Sequence, residues 1–206
     1  DRIHTLPLPI VCAAMEEIGR ARSAADWGNP PRLLSLGRLV PQKDHAMLLD
    51  AMALLADQPW HLTIAGDGPL MAPLLAQTAR LGLCNRVTFT GFVDQPAHSL
   101  AQADALLLSS RWEGLGAVAI EALACGVAVV ATDCTPNLHS LLHNAGQHQP
   151  TPIGDAVAFA RAIAATLDRP PICGPMRAAA LPYGIDAAID AHVAMLAPWL
   201  GGDGAD

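Results

Sequence analysis

From Arg32 onward, short apolar runs alternate with longer segments of helical periodicity, and this rhythm limits the fold more than any other feature of the chain. The apolar runs cover residues 33–36, 61–65, 86–90, 105–109 and 127–131. Between them lie helical patterns at 45–56, 70–81, 95–103 and 116–124. Ala105, Leu106, Leu107 and Leu108 are apolar at every position, as are Val127, Ala128, Val129 and Val130, so neither face of these strands is built to meet water. Strands of that kind belong to a parallel sheet covered by helices on both sides. The expected fold is therefore α/β, a doubly wound Rossmann-like parallel sheet.

The sheet domain is expected over residues 32–185, with a helix at 155–167 and a Pro-rich separator at 169–175. Residues 1–31 read as an N-terminal segment. It holds an extended piece at 3–8 broken by Pro7 and Pro9, a helix at 12–24, and a linker at Asn29, Pro30 and Pro31. Residues 186–206 read as a last helix, 186–200, and a frayed tail. Asp1 in place of an initiator Met suggests a processed product or an excised fragment.

At 206 residues, 52% hydrophobic and 15% charged, the chain can bury one substantial core, which excludes general disorder. Its formal net charge of −7 is spread without long runs, which argues against a nucleic-acid or anionic-lipid footprint. Any anion site has to be local. The five cysteines are scattered without a CxxC pair, so reduced thiols fit better than a disulfide framework or a zinc site. The apolar stretch 115–132 has Glu121 in its middle and Gly126 dividing it, and it reads as a buried helix followed by a buried strand.

In doubly wound sheets ligands sit at the carboxyl ends of the strands, and the polar residues cluster there. Gly37 and Arg38 follow the first strand, Gly66-Asp67-Gly68 the second, Gly91-Phe92 the third, and residues 109–113 the fourth. Gly37 allows a tight turn, after which Arg38 and Lys43 bring a forked guanidinium and a point-charge ammonium to one mouth. Isolated residues of this kind are ordinarily surface cations, but the pair after a buried strand suits a diphosphate. Gly114 and Gly116 open a helix whose free amides form an anion site without a side chain. Glu113 precedes those amides. Glu121 lies about two turns into the helix among Val118, Ala119, Ile120, Ala122 and Leu123, where burial without a polar partner is costly. Such carboxylates can accept hydrogen bonds from sugar hydroxyls. The Gly66-Asp67-Gly68 turn lacks the third glycine of a dinucleotide fingerprint and reads as a tight turn. His139 and His143 stand four apart on a helical pattern without a third ligand, so no metal site is expected. Trp60 and Trp112 read as core residues before stacking faces.

Five ordered segments resemble the C-terminal domain of glycosyltransferase family 4, whose members are retaining enzymes of GT-B fold. They are Gly-Arg-Leu-Val-Pro-Gln-Lys at 37–43, Ile-Ala-Gly-Asp-Gly-Pro-Leu at 64–70, Arg-Val-Thr-Phe-Thr-Gly-Phe-Val at 86–93, Ser-Ser-Arg-Trp-Glu-Gly-Leu-Gly at 109–116 and Glu-Ala-Leu-Ala-Cys-Gly at 121–126. The resemblance runs from about residue 32 to 167. It implies that Arg38 and Lys43 bind the diphosphate of a UDP- or GDP-type sugar donor and stabilise it as it leaves. It further implies that Glu113 and Glu121, separated by seven residues, touch the transferred sugar and the ribose. Amides around Leu115, Gly116, Ala117 and Val118 would help hold phosphate and sugar, and the chain near Phe92 and Val93 would meet the base. The donor is a substrate, so no cofactor or metal is implied.

The resemblance also implies a saccharide or lipid-linked acceptor held by an N-terminal Rossmann-like domain outside these residues, and cell-envelope polysaccharide, lipopolysaccharide or glycolipid synthesis. A cytoplasmic location goes with this, with peripheral association of the full-length enzyme at the inner membrane face. The domain by itself is then expected to lack transferase activity. Two features depart from the family. Residues 132–140 lack its Gly-containing turn and the Glu expected near Ser140, and Leu6-Pro7-Leu8-Pro9 lacks an Asn between the prolines. A non-catalytic nucleotide-sugar-binding or scaffolding domain is the alternative, and a GT-B phosphorylase or epimerase is a third reading.

Overall fold

The computed structural model describes residues 5–23, 27–169 and 172–200. Its elements are α1 (Ala13–Ala21), β1 (Arg32–Leu36), a 3-10 turn (Pro41–Lys43), α2 (His45–Ala53), β2 (His61–Ala65), α3 (Met71–Arg80), β3 (Val87–Gly91), α4 (Pro96–Gln102), β4 (Ala105–Leu108), α5 (Ala117–Ala124), β5 (Ala128–Ala131), α6 (Asn137–Asn144), α7 (Ala156–Asp168), α8 (Cys173–Ala180), a second 3-10 turn (Leu181–Tyr183) and α9 (Ile185–Leu200). The five strands form one parallel sheet in the order β3-β2-β1-β4-β5. This is the doubly wound α/β fold that the alternation implies.

Period-two alternation in β4 and β5 divides the core into two layers. Leu106, Leu108, Val129 and Ala131 pack with α1, α4, α5, α6 and α8. Ala105, Leu107, Ala128 and Val130 face the other way, onto α2, α3 and α7. Each residue of β4 and β5 thus meets a helix on one side or the other, and both strands are buried along their whole length. The outer edge of β5 is covered rather than left open. Gln147 accepts from the amide of Val129 at 3.2 Å, and the amide of Thr151 donates to Ala131 O at 2.9 Å.

The chain winds from β1 outward to β3, then crosses back over to β4 on the other side of β1. That reversal places the loops after β1 and β4 side by side, at the switch point where such sheets bind ligands. Residues 32 onward therefore bring together segments some 70 positions apart in sequence.

The structure differs from the sequence reading at a few places. The end of the Pro-rich stretch 169–175 enters α8, because Pro175 occupies the first turn, where an amide has no intrahelical acceptor to lose. Residues 5–8 form no strand; the amides of Ile10 and Val11 donate to Tyr183 O at 2.9 and 2.8 Å, and Val11 bridges to Gly184. Positions 3 and 4 of that extended piece, position 24 of the first helical pattern, positions 170 and 171 of the Pro-rich stretch, Asp1 and the tail 201–206 lie outside the described residues. Gly19 of α1 sits so close to α5 that a Cβ there would come within 2.0 Å of Ala124 O. On α9, Ala188 is buried, while Ile189, Val193, Leu196 and Trp199 are exposed along one side.

Candidate functional site

The β1–α2 loop is built to place one ammonium. Gly37 adopts φ +153°, and a Cβ at that position would lie 2.9 Å from Lys43 Cε, so the missing side chain makes room for the lysine stem. The 3-10 turn ends at Asp44, in the left-handed region at φ +46°, whose carboxylate caps α2 by accepting from the amide of Met47 at 3.3 Å. Four bonds tie this loop to the one after β4. Ser109 Oγ donates to Lys43 O at 2.7 Å, the amide of Arg111 donates to Gln42 O at 2.7 Å, and Gln42 Nε2 donates to Trp112 O at 2.9 Å. Arg111 also pairs with Asp44 at 3.0 Å. The backbone of Lys43 is thus fixed by its neighbour strand.

Its side chain reaches Glu113, Nζ to Oε1 at 2.6 Å, with both groups mostly shielded from solvent. Ser110 Oγ donates to the same carboxylate oxygen at 2.7 Å. The amide of Glu113 donates to Cys134 O at 2.8 Å, and Thr135 Oγ1 donates to Gly114 O at 3.0 Å, so the 132–140 loop supports the Glu113 loop from behind. Burial, and more weakly the Glu113 carboxylate, raise the Cys134 thiol.

The β2–α3 loop packs directly against the β1–α2 loop. A Cβ on Gly66 would fall 1.9 Å from Gly37 O, and one on Gly68 would fall 2.5 Å from Leu39 O, both into backbone that cannot move aside. Leu39 N donates to Asp67 O at 2.9 Å and Leu70 N to Leu39 O at 3.1 Å. The turn at 66–68 is therefore a loop-to-loop contact as well as a tight turn, a role that the sequence reading missed. The signal was the pairing of these glycines with Gly37, which shows only once β1 and β2 are known to be neighbours.

Between these loops and α5 lies a cavity of about 640 Å³, with Arg38, Lys43, Asp67, Phe92, Ala117 and Glu121 in its walls. Gly37, Val93 and Val118 line it too. Arg38 is exposed, and Phe92 shows 78% of its surface. Gly116, at φ +77°, starts α5 without a side-chain cap, so the first-turn amides of Ala117 and Val118 lack an intrahelical acceptor. Glu121 is partly buried, its carboxylate has no hydrogen bond among the described residues, and its pKa is raised by desolvation.

Of the residues singled out in sequence, Arg38, Lys43, Gly37, Phe92, Val93, Ala117, Val118 and Glu121 come together on this cavity. Glu113 reaches it through Lys43. Leu115 lines instead a separate cavity of about 340 Å³ with Asn137 and Tyr183, and Gly116 is buried against Leu138 and Thr135. Ser110, without an assigned role in the sequence reading, is the buried partner of Glu113. His45, at the start of α2, is also buried. Its Nδ1 has no hydrogen-bond partner among the described residues, and its pKa falls to about 4 through burial first and the Lys43 charge second.

His139 Nε2 pairs with Asp133 Oδ1 at 2.8 Å, and among the described residues no group of three His, Cys, Asp or Glu side chains is placed to hold a metal. Trp60 is a core residue beneath Arg86, whose guanidinium lies 3.6 Å above the ring, while Trp112 is 55% exposed. No helix among the described residues is long and apolar enough to cross a membrane.

A Campylobacter jejuni N-acetylgalactosamine-N,N'-diacetylbacillosaminyl-diphospho-undecaprenol 4-alpha-N-acetylgalactosaminyltransferase is 41% identical over 101 residues, covering 49% of this chain and 27% of the relative. A glycosyltransferase from Rickettsia africae superposes with a TM-score of 0.82 at 16% identity, over 98% of this chain and 59% of the other. The Anabaena protein HepE, solved in complex with UDP and glucose, gives 0.74 at 23% identity, over 94% and 55%. These structures share the GT-B type of fold, and the chain spans less than two thirds of the length of each of these three proteins. The family model for the glycosyl transferases of group 1 matches residues 30–169, and the chain belongs to that family.

Proposed function

We propose that this chain is the donor-binding domain of a retaining glycosyltransferase, and that the 640 Å³ cavity holds a nucleoside diphosphate sugar of UDP or GDP type. The observation that carries the reading is the convergence of Arg38, Lys43 and the start of α5 on one cavity. A guanidinium fork, an ammonium and first-turn amides are the groups that a diphosphate takes. The exposed ring of Phe92, beside Val93, offers an apolar face to the base. Glu121, short of donors, would accept from the ribose hydroxyls, and Glu113 from the transferred sugar.

In the transfer, the acceptor oxygen bonds to the anomeric carbon on the face from which the diphosphate departs. The bond from that carbon to the phosphate oxygen breaks, and the acceptor's proton passes to the departing phosphate. Arg38 and Lys43 stabilise the charge that builds there, an effect of about 3 kcal/mol for one well-placed group. A saccharide or lipid-linked acceptor is supported by the diphospho-undecaprenol substrate named for the Campylobacter relative. In this reading an acceptor-binding domain lies outside these residues, the enzyme meets its acceptor at the inner face of a membrane, and the chain by itself transfers no sugar.

Thermal denaturation tests the site. At 100 times its Kd, UDP or GDP is expected to stabilise the chain by about 3 kcal/mol, or roughly 5–10 °C in Tm. Lys43→Ala and Arg38→Ala are expected to lose most of that rise. Equal nucleotide-induced shifts in parent and variants would remove the diphosphate assignment.

A further inference from the structure

We propose that Ser110 is a positioning residue for the donor sugar: it keeps Glu113 in place while Lys43 turns from that carboxylate to the diphosphate. The proposal rests on the donor-site reading above and adds to it a residue whose side chain touches no part of the donor.

Glu113 Oε1 takes two donors, Lys43 Nζ at 2.6 Å and Ser110 Oγ at 2.7 Å, while Oε2 has no hydrogen-bond partner among the described residues. A lysine ammonium is a point charge on a flexible stem, and a diphosphate in the cavity competes with Glu113 for it. Glu113 then loses its cation at the moment the sugar arrives. A glutamate held by nothing else has three side-chain torsions over which to wander, and ordering it again costs entropy.

Ser110 does not wander. Its residue is fully buried, directly after β4, and its carbonyl is held by Thr132 Oγ1 at the end of β5. The backbone of Glu113 is held in turn by Cys134 O. With one end pinned beside the end of β5 and the other to the 132–140 loop, the Ser110 hydroxyl continues to donate to Oε1, and Oε2 stays aimed for a sugar hydroxyl. The two adjacent serines divide the work: Ser109 Oγ fixes the main chain of Lys43, and Ser110 Oγ fixes the side chain of Glu113. A serine in the first position alone would hold the cation and leave the carboxylate loose.

The test is calorimetric titration of this chain with UDP against UDP-glucose and GDP against GDP-mannose, reading the ratio of the two Kd values in the pair that binds. Ser110→Ala is expected to shift that ratio about tenfold against the sugar nucleotide, the scale of one hydrogen bond to a charged group. Glu113→Ala is expected to shift it at least as far. Adding Ser110→Ala to Glu113→Ala is expected to shift it no further, since a residue acting through Glu113 has nothing left to act on. Additive losses in the double variant overturn the proposal in favour of a merely structural role. An unchanged ratio in Ser110→Ala overturns it while leaving the donor site standing. If the parent binds none of the four nucleotides, the donor-site reading fails and the role of Ser110 falls with it.

Discussion

The two ends of β4 carry the same chemistry put to opposite uses. At its start, Asp104 is fully buried and saturated: Arg22 and Arg32 reach Oδ1 at 3.1 and 2.7 Å, and Oδ2 accepts from the amides of Gly28 and Arg32 and from Arg32 Nε. Just beyond its end, Glu113 meets one cation and one hydroxyl at a single oxygen and keeps the other for use. A carboxylate with every lone pair taken is a rivet, and one with an oxygen and a mobile partner to spare can exchange them for a ligand. The rivet ties Arg22, just after α1, and Gly28 and Arg32, at the approach to β1, to the bottom of the sheet. At the top, Lys43 of the exchangeable pair lines the cavity.

The sharpest way to break that contrast is to remove the rivet. Asp104→Ala leaves the Arg22 guanidinium, whose side chain is only 7% exposed, without its carboxylate. The expected loss is about 3–5 kcal/mol, the cost of unpairing a buried charge, or roughly 10 °C in Tm for a chain of this size. Glu113→Ala, made at the open end, is expected to cost well under half as much while abolishing the sugar-dependent part of donor binding. Thermal melts of the two variants side by side check the ranking. Equal losses would mean that both ends of β4 are structural.

Beside the exchangeable pair lies a second group without full partners. His45 is buried with Nδ1 unpaired, and its pKa is depressed from 6.5 to about 4 by burial and by Lys43, against a smaller opposing pull from Asp44. The folded chain therefore binds its proton less readily than the unfolded chain does. Stability from this group is fully present above pH 6.5 and is lost as the pH falls through about 4, where the loss reaches about 3 kcal/mol. His45→Leu is expected to remove that loss, so its Tm should fall less than the parent's between pH 7 and pH 4. Parallel Tm-against-pH curves would show that the imidazole is solvated in solution and that this end is less tightly built than its burial implies.

How much of this could be read from the chain alone follows from which signals are local. Strand β2 coincides with the apolar run 61–65, because alternation and burial act over neighbouring residues. Helix α8 was hidden because Pro175 reads as a breaker unless its place in the first turn is known. At the site, Gly37, Arg38, Lys43, Glu113 and Glu121 were legible as a motif set, with their convergence expected from the rule for strand ends. The Lys43–Glu113 bond itself, the close approach of Gly66 to Gly37 and the hydroxyl of Ser110 on Glu113 were not. Each depends on strand order, and the order β3-β2-β1-β4-β5 is a property of the crossover that no window of sequence contains. Asp104 was missed for the same reason, since its partners lie 72 and 82 residues away.

Glu121 gives the smallest expected effect and the finest comparison with Asp104. Both are carboxylates in apolar surroundings, but Asp104 has five donors and Glu121 has none among the described residues. Desolvation alone then acts on Glu121 and raises its pKa above the ordinary 4.5. A carboxyl whose folded pKa is raised favours the folded state most below that ordinary value, and the benefit is lost as pH rises through the folded pKa. Glu121→Gln is thus expected to melt slightly higher than the parent at pH 8, with the difference shrinking toward pH 4.5. Saturating nucleoside diphosphate should reverse the order at pH 8, because ribose hydroxyls would give the carboxylate the donors it lacks, and an amide accepts them less strongly. If the glutamine variant stays ahead with nucleotide bound, Glu121 is not the ribose acceptor, and its want of donors is a cost of the fold with no part in binding.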